Sequence, residues 1–173
     1  EYIYDLKDKD PFGEKKSNKE EWHSKLFNLN DKVPQKFLKD ISPCIGAACK
    51  DMDWKMESNE VRYTGMWTII NKKGASNDIH THPNNFLSAA YYVKAPPNCG
   101  NIVFHDPRPV PRFRYAITNK PNLFNSSEYS ITPKDGLLVL FPSYLEHSVW
   151  SNESDEERIV ISFNINLFNK VLY

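Results

Sequence analysis

The segment that decides the fold reads Arg158-Ile-Val-Ile-Ser-Phe-Asn-Ile165 and lies near the end of the 173-residue chain. Apolar and polar residues alternate along it, which is typical of a β-strand whose two faces have different surroundings. One face carries Ile159, Ile161, Phe163 and Ile165, and the other carries Arg158, Val160, Ser162 and Asn164. We expect N-terminal helices to cover the apolar face. We expect the polar face to line an interior cavity, because a buried Arg or Asn is costly without a partner such as a ligand.

Short segments of the same kind recur from about residue 60. We predict strands at 61–71, 86–94, 101–105, 112–117, 128–132, 137–141, 146–150 and 158–168, with Gly, Pro and Asn in the turns. In the second of these strands, the small residues Ser88 and Ala90 share a face with Tyr92, which again leaves room for a cavity. Short strands at this spacing predict a mainly β fold, a double-stranded β-helix of the jelly-roll or cupin-like kind.

The first 56 residues have a different, helical periodicity. We predict three helices there, at 19–28, 33–41 and 45–52. His23 is expected on the exposed side of the first one. No Gly/Ser-rich or Pro-rich linker follows, so we predict a single domain over 1–173. In it, an N-terminal helical segment, 1–56, packs on the outside of a β-helix core, 57–173.

The composition argues against several functions. Lys and Arg number 22, as do Asp and Glu, so the formal net charge is zero. Proteins that bind nucleic acids concentrate excess positive charge, so we expect no nucleic-acid partner. The sequence has no run of 18 apolar residues, so we expect no membrane span. Three cysteines without a Cys-x-x-Cys pair predict idle thiols in a reducing compartment, and hence a cytoplasmic protein.

The strongest local motif reads Asp78-Ile-His80-Thr-His82-Pro83. Residues two apart on an extended chain point to the same side, so His80 and His82 can converge on one metal ion. A third ligand has to come from a distant strand, and His147 is the obvious candidate. Iron(II), zinc, nickel and copper all accept imidazole, so the ligand type does not select the metal.

Four segments, in order and with suitable spacing, resemble the iron(II)/2-oxoglutarate-dependent dioxygenases, especially the prolyl-hydroxylase-like branch. They are His80-Thr-His82, Ser88-Ala-Ala-Tyr-Tyr92-Val-Lys94, Asp135-Gly-Leu-Leu-Val-Leu-Phe-Pro142, and His147 followed by Arg158-Ile-Val-Ile-Ser-Phe-Asn164. Within that superfamily the sequence is most similar to small bacterial and phage oxygenases that carry a His-x-His-Pro segment. The resemblance covers roughly residues 60 to 168.

The resemblance implies roles for individual residues. His80 would be the first iron ligand and His147 the distal one. Arg158 would pair with the distal carboxylate of 2-oxoglutarate, which a guanidinium binds through two parallel hydrogen bonds. Tyr92 and Ser162 would donate further hydrogen bonds to that carboxylate. The implied cofactors are Fe(II) and 2-oxoglutarate, with one metal position left for O2.

The implied reaction is hydroxylation of a C–H bond, coupled to decarboxylation of 2-oxoglutarate to succinate. The partners would be O2 and a small-molecule or peptide substrate, and the prolyl-hydroxylase resemblance favours peptides or amino-acid side chains. Asn164 is one candidate for substrate binding. Arg108 and Arg112, in a Pro-rich stretch, either face an anionic substrate or lie in solvent.

One departure from the family matters. The family places a carboxylate where this sequence has His82, so three neutral imidazoles would leave the metal site one unit more positive. We favour His82 as the third ligand. Asp78 is the alternative carboxylate ligand, and Asp106 is a more remote one.

Two other functions are compatible with the sequence. A three-histidine cupin-type dioxygenase without 2-oxoglutarate would use the same histidines, and Gly74 precedes His80 at the cupin spacing. Such an enzyme has no need of a buried guanidinium, so the environment of Arg158 separates it from the leading interpretation. The third candidate is a non-catalytic jelly-roll binding module.

Overall fold

Two helices and eight strands make up the part of the chain that the computed structural model describes. The described residues are 1–16, 18–108, 117–120, 122 and 125–170, with only the backbone described at 18–20. The helices are α1 (Tyr2–Lys9) and α2 (Lys32–Asp51). The strands are β1 (Asn18–His23), β2 (Asn59–His80), β3 (Leu87–Lys94), β4 (Ile102–His105), β5 (Glu128–Ile131), β6 (Leu138–Pro142), β7 (His147–Val149) and β8 (Arg158–Asn169).

The strands form one curled antiparallel sheet in the order β5-β4-β7-β2-β8-β3-β6, with β1 paired to β2 at the side. Strand β2 is 22 residues long and, besides β1, has two partners. Its residues 59–71 pair with β8, whereas Asn77 and His80 pair with β7. Between these stretches lies Gly74, whose φ of 84° is a conformation that glycine adopts readily. Strand β2 thus belongs to two layers of the curled sheet, one that contains β8 and one that contains β7. The predicted double-stranded β-helix is confirmed.

The main hydrophobic core lies between the apolar face of β8 and the two helices. Phe163 of β8 is fully buried. Helix α2 contributes Ile41, Ile45 and Cys49, whose spacing of four residues places them on one side of the helix. Helix α1 adds Ile3 to the same cluster. The prediction that N-terminal helices cover the outside of the last strand is therefore confirmed.

The predicted helix at 19–28 is wrong, because β1 occupies its first half. Trp22, Leu26 and Phe27 do have a helical spacing, but this stretch pairs with β2 instead. The backbone contact continues past the end of β1, where the N–H of Phe27 donates to the carbonyl oxygen of Met66 at 2.7 Å. Pairing with an existing strand satisfies the backbone of this stretch, so long-range contacts override the local pattern.

The predicted helices at 33–41 and 45–52 are one helix, α2, which continues through Pro43. A proline inside a helix cannot donate to the carbonyl four residues earlier, which is the physical reason to expect a break there. Packing of the apolar side of α2 against the sheet outweighs that lost hydrogen bond. Segment 1–56 thus holds two helices and a strand, rather than three helices.

The predicted strands from residue 86 onward agree with β3 to β8 to within one residue at each end, apart from 112–117. Of this predicted strand, residues 112–116 lie outside the described part of the chain. The first predicted strand, 61–71, is shorter than β2, which runs on through the expected turn at 73–74 to His80.

Within the described ranges, neither helix is long and apolar enough to cross a membrane. Cys44, Cys49 and Cys99 are all free. Burial raises the pKa of the Cys49 and Cys99 thiols, which disfavours the reactive thiolate form. These two cysteines therefore behave as idle thiols.

Candidate metal centre and its cavity

Three histidines converge where β2 ends and β7 begins. His80 is the last residue of β2, and His147, the first of β7, is its cross-strand partner. His82 follows two residues after His80, and its backbone N–H donates to the carbonyl oxygen of Ser143 at 2.9 Å. One ring nitrogen from each histidine lies within 4.8 Å of the other two. The cluster therefore has the size of a metal site.

Backbone carbonyls fix the tautomers of two of these rings. Nδ1 of His80 lies 2.7 Å from the carbonyl oxygen of Asp78, and Nδ1 of His147 lies 3.0 Å from that of Leu145. A carbonyl oxygen can only accept, so each Nδ1 carries the proton and each Nε2 keeps its lone pair. Nε2 of His82 and Nε2 of His147 are 3.2 Å apart. Two nitrogens bound at about 2.1 Å to one ion, at a right angle, lie about 3 Å apart, so the rings fit a shared metal.

The electrostatic surroundings keep two of the three imidazoles, His82 and His147, neutral. Burial, reinforced by His80, lowers the pKa of His82 to about 4 and that of His147 to about 3. Both rings are therefore uncharged at neutral pH, as a metal ligand must be.

The alternative carboxylate ligands lie elsewhere. Asp78 is exposed, and the ligand atoms that lie within 4.8 Å of one another come from His80, His82 and His147. Asp106 forms an ion pair with Arg108 at 2.6 Å. The geometry favours His82 over either aspartate.

A cavity of about 510 Å³ adjoins the three histidines. The polar face of β8 lines it, together with Tyr92 of β3. Seven of the predicted site residues therefore share one cavity: His80, His82, His147, Tyr92, Arg158, Ser162 and Asn164.

Arg158 is the largest buried side chain in this cavity, and it is only 1% exposed. Its Nε donates to Oδ1 of Asn71 at 3.2 Å, and its Nη1 donates to the carbonyl oxygens of Cys99 and Gly100. Its Nη2 has no hydrogen-bond partner among the described residues. An unpaired, buried guanidinium nitrogen is costly, and a carboxylate in the cavity would satisfy it. The site thus fits the distal carboxylate of 2-oxoglutarate.

Tyr92 and Asn164 are oriented toward the same space. Tyr92 is 2% exposed; burial raises its pKa, and the charge of Arg158 partly opposes that rise. Oδ1 of Asn164 accepts a hydrogen bond from Oγ of Ser88 at 2.8 Å, so the Asn164 amide group is held in one orientation.

Of the two arginines proposed for substrate binding, the structure describes only Arg108. Arg108 is exposed, pairs with Asp106 and is not among the cavity-lining residues. Arg112 lies outside the described residues. Of the two alternatives for Arg108, its exposed position agrees with the one in solvent.

Two cavity residues were missed by the sequence analysis because both lie on β1. Glu21 and His23 line the cavity, whereas His23 was expected to be exposed on a helix and is 4% exposed. The His23 ring stacks on Trp67 at 5.9 Å, and Trp67 lies 5.7 Å from the ring of His82. The available signal was the alternation of Glu21, Trp22 and His23, which has the period of a strand.

Comparisons with known proteins identify a family for this chain. Residues 65–164, more than half of the chain, match the model of a family described as "Putative 2OG-Fe(II) oxygenase". No curated protein matches the sequence.

Three solved structures resemble the fold at low sequence identity. The viral collagen prolyl hydroxylase vCPH from Paramecium bursaria Chlorella virus-1, solved with 2-oxoglutarate, has 16% identity and a TM-score of 0.59, covering 95% of this chain and 86% of that one. HygX from Streptomyces hygroscopicus, with nickel and 2-oxoglutarate bound, has 8% identity and a TM-score of 0.60, covering 95% and 77%.

An oxidoreductase of the 2OG-Fe(II) oxygenase family from Burkholderia pseudomallei has 13% identity and a TM-score of 0.50. The match covers 80% of this chain, which spans about half (53%) of that protein. At these identities the likeness is one of fold.

The family match decides between the interpretations of the sequence. A cupin dioxygenase without a keto acid and a non-catalytic module both explain the histidines, but neither is the family that the sequence matches. The family is one of enzymes that require Fe(II) and 2-oxoglutarate. With its model matched over more than half of the sequence, this chain belongs to the 2OG-Fe(II) oxygenase family.

Proposed function

We propose that the protein hydroxylates a C–H bond of a peptide or amino-acid side chain and converts 2-oxoglutarate to succinate. In this proposal His80, His82 and His147 hold Fe(II). Arg158, with Tyr92 and Ser162, holds the distal carboxylate of 2-oxoglutarate. The observation that carries the proposal is the buried Nη2 of Arg158, which has no partner among the described residues and lies in the same cavity as the three imidazoles.

The side chains of this cavity would bind, orient and exclude water. When bound, Fe(II) and 2-oxoglutarate supply the activation of O2, which no amino-acid side chain can perform. Arg158 is held by backbone carbonyls on one side, so its free Nη2 has a fixed direction toward a carboxylate. Ile102, Phe141 and Val160 give the cavity apolar walls, which keep water away from the reacting C–H bond.

Two observations favour a peptide or amino-acid side chain as the substrate. One structure with a similar fold is a collagen prolyl hydroxylase, which favours a peptide. Trp67 and Leu26 also line the cavity, and Leu26 is exposed, so an apolar group entering from solvent has a surface to contact. Asn164 would hydrogen-bond to the substrate. We place the protein in the cytoplasm, because its three cysteines are free.

The first test is spectroscopic. Fe(II) and 2-oxoglutarate, added without oxygen, should produce a weak metal-to-ligand charge-transfer band in the visible range. His147→Ala should lose Fe(II) binding and the band. His105→Ala is the matched control, because His105 is also buried but bonds to Ser148 and Glu128 outside the cluster.

The second test concerns Arg158. Arg158→Ala should still bind Fe(II) but bind 2-oxoglutarate about a hundredfold more weakly, because the carboxylate loses a buried charged partner. Arg62→Ala, at an exposed arginine paired with Glu60, should change neither. A band that Arg158→Ala leaves intact would contradict the assignment of this residue, and O2 consumption without 2-oxoglutarate would favour the cupin-type reaction.

Substrates can be sought by the succinate that they release. Peptides and free amino acids should be screened for succinate formation above the rate without substrate, with mass spectrometry for a gain of one oxygen atom. A substrate that gains oxygen only in the presence of 2-oxoglutarate supports the proposal.

A further inference from the structure

Glu21 is a carboxylate in the wall of the cavity to which the proposed reaction gives no role. It lies on β1, opposite Asn71 of β2, and Asn71 is in turn opposite Arg158 of β8. Side chains join the three strands: Nε of Arg158 donates to Oδ1 of Asn71, and Nδ2 of Asn71 donates to Oε2 of Glu21. Nδ2 of Asn77 donates to Oε1 of Glu21 at 3.3 Å. Two amide donors thus fix the carboxylate, and one of them also holds Arg158.

The charges in the cavity explain why a carboxylate is needed there. Among the described residues that line it, Lys16, Glu21 and Arg158 are charged. Lys16 is half exposed and pairs with Glu14 at 2.9 Å, which leaves Arg158 as the buried cation. Fe(II) and doubly charged 2-oxoglutarate would cancel each other. Three neutral imidazoles add no charge, so the bound site would keep the positive charge of Arg158.

A site with two histidines and one carboxylate does not have this excess, because the carboxylate ligand cancels it. Here His82 stands at that position. A net charge buried in a cavity is costly unless another charge compensates it.

We propose that Glu21 supplies, from the cavity wall, the negative charge that a carboxylate ligand supplies in other iron sites of this kind. The inference rests on the proposed function, since it assumes that the three histidines bind Fe(II) and that Arg158 binds 2-oxoglutarate. Glu21 is then a positioning residue that acts on both through charge and through Asn71.

The pKa of Glu21 in the metal-free protein points to the same compensation of charge. Burial raises the pKa of Glu21 to about 7, although both asparagines and Arg158 act to lower it. A divalent cation in the cavity would favour the ionised form of Glu21. Metal binding and ionisation of Glu21 would therefore support each other.

Glu21→Gln tests the inference, because it removes the charge and keeps the size of the side chain, while its one amide oxygen can still accept the hydrogen bond from Asn71. Without the negative charge, Fe(II) should bind about tenfold more weakly, and 2-oxoglutarate, an anion, should bind more tightly. The dissociation constants are measured without oxygen, by titration with Fe(II) alone and then with 2-oxoglutarate. Glu60→Gln, at an exposed glutamate paired with Arg62, should change neither constant.

Opposite changes in the two constants separate a charge effect from damage to the site, which would weaken both ligands. A second variant asks whether His82 creates the need. In a His82→Asp background, which restores a carboxylate ligand, Glu21→Gln should weaken Fe(II) binding far less than in the wild type.

The outcomes distinguish a failure of this inference from a failure of the proposed function. If the wild-type protein binds neither Fe(II) nor 2-oxoglutarate, the proposed function fails and this inference fails with it. If the wild type binds both, and Glu21→Gln weakens both or changes neither, the inference alone is overturned.

Discussion

The two faces of strand β8 make opposite contributions to the molecule. Ile159, Ile161, Phe163 and Ile165 are each at most 9% exposed, and they pack against helix α2 and its neighbours. On the other face, Arg158, Val160, Ser162 and Asn164 line the cavity beside the three histidines. The residues alternate, so every step along the strand moves from the core to the site.

The difference shows how stability and chemistry are divided within one strand. Each large apolar side chain that is buried on the outer face stabilises the fold by about 1.5–3 kcal/mol. The inner face gives up part of that stabilisation, since it buries a guanidinium whose Nη2 has no partner among the described residues. Substitutions on the two faces should therefore change different measured quantities.

The largest effect should follow Phe163→Ala on the outer face. Phe163 is fully buried and lies 6.2 Å, ring to ring, from Phe37 of α2. Removing the ring should lower the free energy of unfolding by about 3–5 kcal/mol, because the helix cannot fully close the space left behind. Urea unfolding measures this loss.

The folded fraction of Phe163→Ala should keep its affinity for 2-oxoglutarate. Ile165→Val, which removes a single methyl group from the same layer, should cost only about 1 kcal/mol and serves as the control. If affinity falls in proportion to stability in both variants, the two faces are not independent.

The next effect concerns Glu21 of β1, a carboxylate in the polar wall of the cavity. Its folded-state pKa of about 7 lies above the ordinary value of 4.5. Its contribution to stability is therefore fully present below pH 4.5 and is lost as the pH rises through 7. A shift from 4.5 to about 7 corresponds to a loss on the order of 3 kcal/mol.

Glu21→Gln has no such ionisation. The stability of this variant relative to the wild type should thus rise by on the order of 3 kcal/mol between pH 4.5 and pH 8 in metal-free protein. Urea unfolding of both proteins at several pH values measures this difference, in which the histidine titrations cancel. If the difference in the free energy of unfolding between the two proteins does not vary with pH, ionisation of Glu21 costs no stability.

A smaller effect should follow Ser162→Ala on the inner face. Ser162 is half buried and lines the cavity, so it can lose its hydroxyl without opening the core. The variant should bind 2-oxoglutarate about tenfold more weakly, which is the value of one hydrogen bond to a charged group. Isothermal titration measures the affinity, and the free energy of unfolding should stay within about 0.5 kcal/mol of the wild type. A loss of stability without a loss of affinity would mean that Ser162 supports the fold and not the binding of 2-oxoglutarate.

The faces of β8 and the histidine motif could be predicted because both follow from local spacing. Alternation with a period of two assigns Phe163 to the core and Arg158 to the cavity without knowledge of the rest of the chain. The same rule brings His80 and His82 to one side. His147 could be named as a candidate ligand from the sequence, but its pairing with His80 is a property of the folded sheet.

Strand β1 shows why the rest of the cavity could not be predicted from the sequence. Its residues have both a helical and a strand-like spacing, and only its pairing with β2, about fifty residues away, decides between them. Glu21 and His23 enter the cavity as a consequence of that pairing. The unpaired Nη2 of Arg158 is likewise a property of the folded cavity, since its neighbours Cys99 and Gly100 come from a distant loop.

The smallest effect should come from Gly46→Ala in helix α2, which covers the outer face. Gly46 is exposed within the helix, and a Cβ atom added there would meet no atom within 4 Å. Alanine loses less backbone freedom on folding than glycine does, so the variant should be about 0.5–1 kcal/mol more stable. Thermal unfolding measures the gain. The affinities for Fe(II) and 2-oxoglutarate should not change, because α2 packs on the outer side of the sheet and none of its residues lines the cavity. A change in either affinity would show that this helix also acts on the site.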